Sequence, residues 1–155
     1  MTEADVRELT TEADVRELST EPEWRAAFPV VNQLRDHLTE ETYLEQLAEM
    51  REQGYRLFAL FDDDRIVSVA GVTPKTNFYN GRHLFVCDLV TRESRRSEGH
   101  GTRLMAFVSR WARERDYESV VLESGLWRDD AHRFYEERLE MERYCYTFKR
   151  DLGDG

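Results

Sequence analysis

The sequence has few residues that could cross-link it, bind a metal or anchor it in a membrane. It contains two cysteines, Cys87 and Cys145, in 155 residues. They do not form the C-x-x-C spacing of a metal site, and both fall in predicted strands as buried free thiols. No run of ~18 apolar residues is present, so no membrane-spanning helix is predicted. The first residues are acidic and polar, unlike a secretory signal, which leads us to expect a cytoplasmic protein.

Lysine is almost absent from a strongly charged chain. Two lysines stand beside 20 arginines and 32 acidic residues, and the formal net charge is −10. An acidic, lysine-poor surface stays hydrated in concentrated salt, which favours a halophilic source; an acidic protein from a GC-rich genome is the alternative. The negative field argues against nucleic acid or an anionic membrane as a partner. The length of 155 residues suits one domain with one core.

The N-terminus contains a short duplication. Thr2–Leu9 and Thr11–Leu18 both read TEADVREL. Two copies are too few for a solenoid, so we expect only the second copy to take part in the fold, with Val15–Leu18 as the first strand. Residues 1–13 are therefore predicted to be an extension of a single domain that covers residues 14–152.

Two helices and a meander of strands follow. Thr20–Glu23 is a capping-box pattern that starts a helix, which Pro29 is expected to kink or split. Thr39 caps a second helix, which ends at Gly54. Asn80–Gly81 predicts a two-residue hairpin turn. The predicted strands are Tyr55–Phe61, Arg65–Val72, His83–Val90, Ser119–Leu122 and Tyr144–Lys149. The fold class is therefore mixed α/β, with an α+β-like order of elements.

A glycine-bearing turn connects the strand His83–Val90 to a helix that runs through Arg115. The turn reads Arg96-Ser97-Glu98-Gly99-His100-Gly101. Free backbone N–H groups and the dipole at a helix start attract anions, and glycine lets a phosphate approach the main chain. Four arginines crowd this turn, which predicts a polyphosphate ligand; they are Arg92, Arg95, Arg96 and Arg103. The turn lacks the third glycine of a dinucleotide fingerprint and the Gly-Lys-Ser/Thr of a P-loop.

The R-x-x-G-x-G pattern from Arg96 to Gly101 resembles the acyl-CoA pyrophosphate loop of the GNAT (GCN5-related N-acetyltransferase) family. Ala131–Tyr135 likewise resembles the A-x-x-F-Y segment of that family. The resemblance implies a central mixed, mostly antiparallel sheet flanked by helices. It also implies acetyl-CoA as co-substrate, no metal, a small-molecule or peptide amine as acceptor, and direct transfer in a ternary complex. Family members are often dimers, so a homodimer is compatible with it.

The resemblance also assigns site residues. Those implied to bind the cofactor are Leu89, Val90, Thr91, Arg96, Ser97, Glu98, Gly99, His100, Gly101 and Thr102. The resemblance implies that Tyr135 is the proton donor to the CoA thiolate; from spacing alone, simple packing of Phe134 and Tyr135 is the favoured explanation of the pair. Asp88, an acidic residue in an apolar strand, is the first candidate for the general base, and Glu123 is the second.

Three residues depart from the family pattern. Glu93 stands where proline often follows the strand, Arg128 where asparagine often contacts cofactor or substrate, and Glu140 where glycine often follows the last helix. A left-handed Glu140 would cost about 1 kcal/mol, so we expect a different turn there. Two other functions remain open at this point: a non-catalytic acyl-CoA-binding domain and a module that binds an acidic protein. The acceptor is not identified.

Overall fold

The computed structural model describes residues 14–153 of the chain. The predicted extension 1–13 lies outside these residues. The chain forms two compact units, one ending at Leu122 and the other beginning at Glu123. None of the helices in the described part is long and apolar enough to cross a membrane.

From residue 14 onward, the first unit contains five strands and three α-helices. The strands are β1 (Val15–Leu18), β2 (Arg56–Asp62), β3 (Arg65–Asn77), β4 (Gly81–Thr91) and β5 (Ser119–Leu122). The helices are α1 (Glu21–Leu34), α2 (Glu40–Glu52) and α3 (His100–Glu114), with a 3₁₀ turn at Glu93–Arg95. The second unit contains α4 (Asp129–Arg133), which continues as a π-helical turn over Phe134–Arg138.

The five strands form one sheet in the order β1-β2-β3-β4-β5. Neighbours from β1 to β4 are antiparallel, and β5 pairs with β4 in parallel. This mixed, mostly antiparallel sheet confirms the predicted fold class and the predicted first strand.

Alternation along β2 gives the sheet two buried faces. Leu57 and Ala59 belong to a core cluster with residues of α1 and α2. Phe58, between them, packs its ring on Phe107 and Trp111 of α3, at 5.3 and 5.5 Å between ring centroids. Helices therefore cover both sides of the sheet, with α1 and α2 on one face and α3 on the other.

The helix starts follow the sequence closely. The Glu23 side chain accepts from the backbone N–H of Thr20 at 3.0 Å, and Thr39 Oγ1 accepts from the N–H of Thr42 at 3.1 Å. The hydrogen bond from the Thr20 hydroxyl is the main reason why the pKa of Glu23 is lowered. Pro29 does not split α1, because Ala27, Val30 and Val31 around it are buried and hold the helix against the sheet.

The β3–β4 hairpin is present, but its loop is one residue longer than predicted. Asn77 pairs with Gly81, which leaves residues 78–80 as a three-residue loop. Asn77 Oδ1 accepts from the Asn80 N–H at 2.7 Å, and Gly81 is left-handed, with φ +63°. A glycine in that conformation after the turn is typical of three-residue hairpins.

The predicted strand Tyr144–Lys149 is wrong: residues 141–153 contain no strand. An alternation of aromatic and polar residues permits a strand, but a strand forms only where a neighbouring strand accepts its backbone hydrogen bonds. Tyr146 and Phe148 are exposed. Cys145 is exposed as well, so only Cys87, which is partly buried, resembles the buried thiols that we expected.

Candidate active site

The two edges of β4 are paired over different lengths. Its pairing with β3 extends from Gly81 to Thr91, whereas its pairing with β5 covers only His83 to Val86. Beyond Val86, the edge of β4 that faces away from β3 therefore has no strand beside it within the described residues. A stretch of strand backbone is left available at this edge.

A β-bulge marks the point where the pairing changes. Gly71 pairs with Asp88 and Val72 with Val86, so Cys87 is an extra residue in β4. Beyond the bulge, the backbone N–H and C=O groups of successive residues point alternately to the two edges of β4. The Arg92 N–H donates to β3 at Val67 O (2.7 Å), whereas Thr91 O, on the opposite edge, accepts from Gln33 Nε2 (3.0 Å). The N–H groups of Leu89 and Thr91 consequently point to the unpaired edge.

The backbone of Val90 points toward β3, unlike the backbones of its neighbours Leu89 and Thr91. Its carbonyl accepts from the Ser68 hydroxyl of β3 at 3.0 Å, and its side chain is buried in the core cluster. Its backbone therefore serves the sheet, whereas the backbones of Leu89 and Thr91 are turned outward.

Asp88 is held from both sides. Its Oδ1 accepts from Arg35 Nε at 2.9 Å, and its Oδ2 accepts from the Tyr55 hydroxyl at 2.9 Å. A second nitrogen of Arg35, Nη2, donates to Cys87 O at 2.9 Å. Each carboxylate oxygen of Asp88 thus already accepts a hydrogen bond. A substrate proton would have to compete with Arg35 or Tyr55 for one of these oxygens.

Tyr55 is a fixed donor in this cluster. It is 5% exposed, and burial, followed by the charge of Asp88, raises its pKa well above its ordinary value. A Cβ atom on Gly71 would overlap the hydroxyl end of the Tyr55 ring. Glycine at position 71 therefore makes room for the ring, and the protonated hydroxyl remains bonded to Asp88.

The turn after β4 ends at the start of α3, where the capping residue Gly99 is exposed. Gly99 caps α3 in the left-handed conformation, with φ +86°, and a Cβ there would meet no atom within 4 Å. The Arg103 N–H donates to Gly99 O at 3.1 Å, which closes the first turn of the helix. The N–H groups of His100, Gly101 and Thr102 precede that bond and lack intrahelical acceptors. This is the backbone arrangement expected of an anion site.

The charged side chains around this turn are partly engaged with one another. Arg95 Nη2 pairs with Asp62 at 2.5 Å, and its Nε pairs with Glu98 at 3.0 Å. His100 is buried, and its Nε2 lies 3.0 Å from Glu98. The His100 hydrogen bond, followed by that of Arg95, lowers the pKa of Glu98. Arg95 is therefore occupied, whereas Arg96 and Arg103 are exposed.

Ser97 is left-handed, with φ +66°, two residues before Gly99. Glu93, in place of the family's proline, keeps an N–H that donates to Gln33 Oε1 at 3.1 Å. Gln33 thus bonds to Thr91 O and to Glu93 and ties the start of this turn to α1.

The second unit carries the other predicted residues. Tyr135 is partly exposed in the π-helical turn, its ring lies edge-on to Phe134 at 5.7 Å, and its backbone carbonyl accepts from Met141. The alternative catalytic acid–base candidate Glu123 is exposed and accepts from the Thr147 hydroxyl at 2.6 Å. Glu140 has φ +54°. The left-handed turn of the family pattern is therefore kept, contrary to our expectation of a different turn.

Three residues of the β4 cluster were missed by the sequence analysis, namely Arg35, Tyr55 and Gln33. Arg35 lies 53 residues from Asp88 along the chain, and Tyr55 lies 33 residues from it. Nothing local in the sequence connects these positions, because the contacts arise only when the fold brings the end of α1 and the residue before β2 to β4.

Comparison with known proteins identifies this architecture. The family model described as Acetyltransferase (GNAT) family matches residues 17–141. The protein belongs to the GNAT acetyltransferases. A Bacillus subtilis (strain 168) relative, described as the uncharacterized N-acetyltransferase YhdJ, is 38% identical over 131 residues, which cover 84% of this chain and 92% of the relative.

Solved structures give the same fold at lower identity. The aminoglycoside N-acetyltransferase AAC(6')-Iy in complex with CoA superimposes with a TM-score of 0.78 at 16% identity, over 89% of this chain and 93% of that one. A Bacillus halodurans C-125 protein described as a transcriptional regulator has a TM-score of 0.77 at 21% identity, over 89% and 98%. The GNAT fold is thus shared by proteins with different descriptions, and the acceptor must be sought in this chain's own site.

Proposed function

We propose that this GNAT protein is an acetyl-CoA-dependent N-acetyltransferase that acts on a primary amine by direct attack in a ternary complex. The observation that carries the proposal is the unpaired edge of β4 after Val86. It presents the N–H groups of Leu89 and Thr91 beside the largely buried carboxylate of Asp88, whose side chain is 12% exposed. Backbone donors at a fixed position can orient an acyl carbonyl and stabilise the oxyanion that forms on it.

The start of α3 suits the pyrophosphate of CoA. The N–H groups of His100, Gly101 and Thr102 would bind it, and the open space beside Gly99 would admit it. Arg96 would complete the contact with its side chain, and Ser97 and Glu98 in the same turn would do so only through their backbone N–H groups. The CoA-bound structure of AAC(6')-Iy supports CoA as the ligand for this fold.

Two side chains would handle protons. Asp88 would take a proton from the acceptor ammonium, so that the neutral amine forms the C–N bond as the C–S bond breaks. Tyr135 would give its proton to the leaving thiolate and recover one from the nitrogen of the new amide. Because a phenol of pKa ~10 protonates a thiolate of pKa ~8.5 only at a cost of about 2 kcal/mol, this transfer is favoured when it is concerted with C–S cleavage.

Thermal unfolding with acetyl-CoA tests the cofactor. Acetyl-CoA at about a hundred times its Kd should add ~2.7 kcal/mol of stability, in low or molar potassium chloride. The double variant Gly99→Asp/Gly101→Asp should lose this gain, whereas Gly153→Asp, at a glycine with open space around it, should keep it. The absence of a shift in wild-type protein in both salts would exclude acetyl-CoA as the ligand.

Turnover of the Tyr135→Phe variant separates catalysis from mere binding. A large loss of kcat with an unchanged acetyl-CoA shift supports the proton-donor role. Full activity on the same amine removes Tyr135 from the mechanism. If wild-type protein binds acetyl-CoA but acetylates no amine, the non-catalytic acyl-CoA-binding function replaces the enzyme.

A cytoplasmic location and a halophilic source remain parts of this proposal. If the source is halophilic, we expect the stability of the protein to rise in molar salt.

A further inference from the structure

The ion pair at the bulge of β4 carries information about the acceptor. Arg35 follows the last residue of α1 and reaches Asp88 Oδ1 and the Cys87 carbonyl, both at 2.9 Å. The carbonyl is available because Cys87 is the extra residue of the bulge. A carboxylate oxygen and a carbonyl oxygen therefore converge on one cation at the unpaired edge of β4.

The two partners of Asp88 differ in how firmly they are held. Tyr55 is buried against Gly71 and cannot move without disturbing the sheet. The Arg35 side chain is 41% exposed, whereas that of Asp88 is only 12% exposed. A half-exposed arginine leaves an ion pair at little cost, because water solvates its charge. The carboxylate, in contrast, is too buried to remain without a cation.

An acceptor ammonium is the cation that the proposed reaction brings to this position. If it replaces Arg35 at Asp88 Oδ1, the carboxylate stays paired and the amine lies beside the N–H groups of Leu89 and Thr91. The displaced guanidinium then lies next to the amine without an anion. A carboxylate on the acceptor would compensate it, since guanidinium binds carboxylate through two parallel hydrogen bonds.

We infer that the acceptor is an amino carboxylate, with its ammonium on Asp88 and its carboxylate on Arg35. This inference rests on the proposed acetyltransferase function. The Arg35–Asp88 ion pair is replaced by two ion pairs with the substrate, so neither Arg35 nor Asp88 is left with an uncompensated charge. Because Arg35 and Asp88 are in direct contact, the carboxylate belongs on the carbon that bears the amine or on the next one. Polyamines, which bring only positive charge, fit this site less well.

A panel of L-amino acids tests the inference, each assayed beside its own carboxamide, with spermidine as the cationic reference. Initial rates of CoA release give kcat/KM for each. We expect at least one amino acid to exceed its carboxamide by ~10-fold or more, since the carboxamide leaves Arg35 without its charged partner. Equal rates within every pair, or a preference for spermidine, would overturn the inference.

Substitution of Arg35 gives the second readout. In Arg35→Gln, the preference for carboxylate over carboxamide should disappear, and spermidine should become a better substrate because Asp88 is left without a competitor. Arg35→Lys should keep part of the preference, because lysine retains the charge without the fork. The matched control is Arg25→Gln in α1, at a 51% exposed side chain that pairs with Glu21 and Glu40; it should behave as wild type.

The acetyl-CoA thermal shift distinguishes the two possible failures. If wild-type protein shows no shift, the proposed function itself fails. If the shift is present in wild type and in Arg35→Gln, but the variant loses activity equally on acids and carboxamides, then Arg35 only supports the fold of the site and the acceptor inference is wrong. Unfolding temperatures of the three variants without ligand identify a loss of folding.

Discussion

The two halves of β4 differ in their neighbours, although they belong to one continuous strand. From His83 to Val86, β4 lies between β3 and β5, and its Leu84 is fully buried. After Cys87, the strand keeps only β3, and its other edge carries Leu89 and Thr91 N–H groups without a strand partner. A single extra residue thus separates a stretch that has a strand on both sides from a stretch with one unpaired edge, where we propose that the ligand binds.

The largest expected effect comes from two adjacent proline substitutions that act on opposite edges. Leu89→Pro removes an outward N–H and spares the ladder, so kcat should fall by about 10²–10³-fold while the fold persists. Val90→Pro removes a donor from the β3 side and should cost about 1–3 kcal/mol of unfolding free energy. Acetyltransferase kinetics and denaturant unfolding measure the two effects. Wild-type kcat in Leu89→Pro would show that this N–H takes no part.

A substitution of Gly71, opposite the bulge, is a second way to disturb the part of β4 that follows Cys87. A Cβ at this position would displace the Tyr55 ring and break its bond to Asp88. We expect Gly71→Ala to lose about 1–3 kcal/mol of stability, as in other overpacked sites. Urea unfolding measures the loss, and Gly153→Ala, in open space, is the control. Unchanged stability would mean that the ring adapts and that Tyr55 is not firmly held.

The pH dependence of stability tests how firmly Tyr55 is held against Asp88, in the part of β4 that follows the bulge. The folded-state pKa of Tyr55 is raised by burial and by Asp88, so the native protein keeps a proton that the unfolded chain releases near pH ~10. Stability from this group is complete below that pH and falls above it, by up to ~1.4 kcal/mol per pH unit. Tyr55→Phe should reduce this alkaline slope in unfolding experiments between pH 9 and 11. Part of the alkaline decrease in unfolding free energy should remain in this variant, because burial also raises the pKa of Tyr43.

The smallest effect is expected outside β4, at Glu140. Its φ of +54° is a conformation that glycine adopts without strain. Glu140→Gly should therefore raise the unfolding free energy by roughly 0.5–1 kcal/mol and leave the acetyl-CoA shift unchanged. Thermal unfolding measures the gain. A loss of stability would show that the glutamate side chain contributes more than the backbone strain costs.

Much of the first unit could be predicted because its signals are local. A capping residue and its partner three positions later lie within one turn, so Thr20 and Thr39 mark their helices without any knowledge of the fold. Ser119–Leu122 forms the predicted strand for the same reason, as a short apolar run between turns. The hairpin at Gly81 was predicted, but its loop length depends on the register with Asn77, which is set by the whole β3–β4 pair.

The proposed site residues also divide into those with a local sequence signal and those without one. The turn from Arg96 to Thr102 could be found from its spacing, because glycine and a helix start are sequence features. The partners of Asp88 could not, since Arg35 and Tyr55 reach it only through packing. The prediction for Tyr144–Lys149 failed because a strand needs a neighbour that alternation alone does not supply.

By itself, the sequence determined the helix caps, the positions of the five strands of the first unit along the chain, the glycine-bearing turn and the family resemblance, because each depends on residues that are close along the chain. Only the tertiary structure decided that β4 bulges at Cys87, that its outer edge is unpaired, and that Arg35 and Tyr55 occupy the two oxygens of Asp88. These features require distant segments to pack together, and burial and hydrogen-bond satisfaction across the sheet select their arrangement.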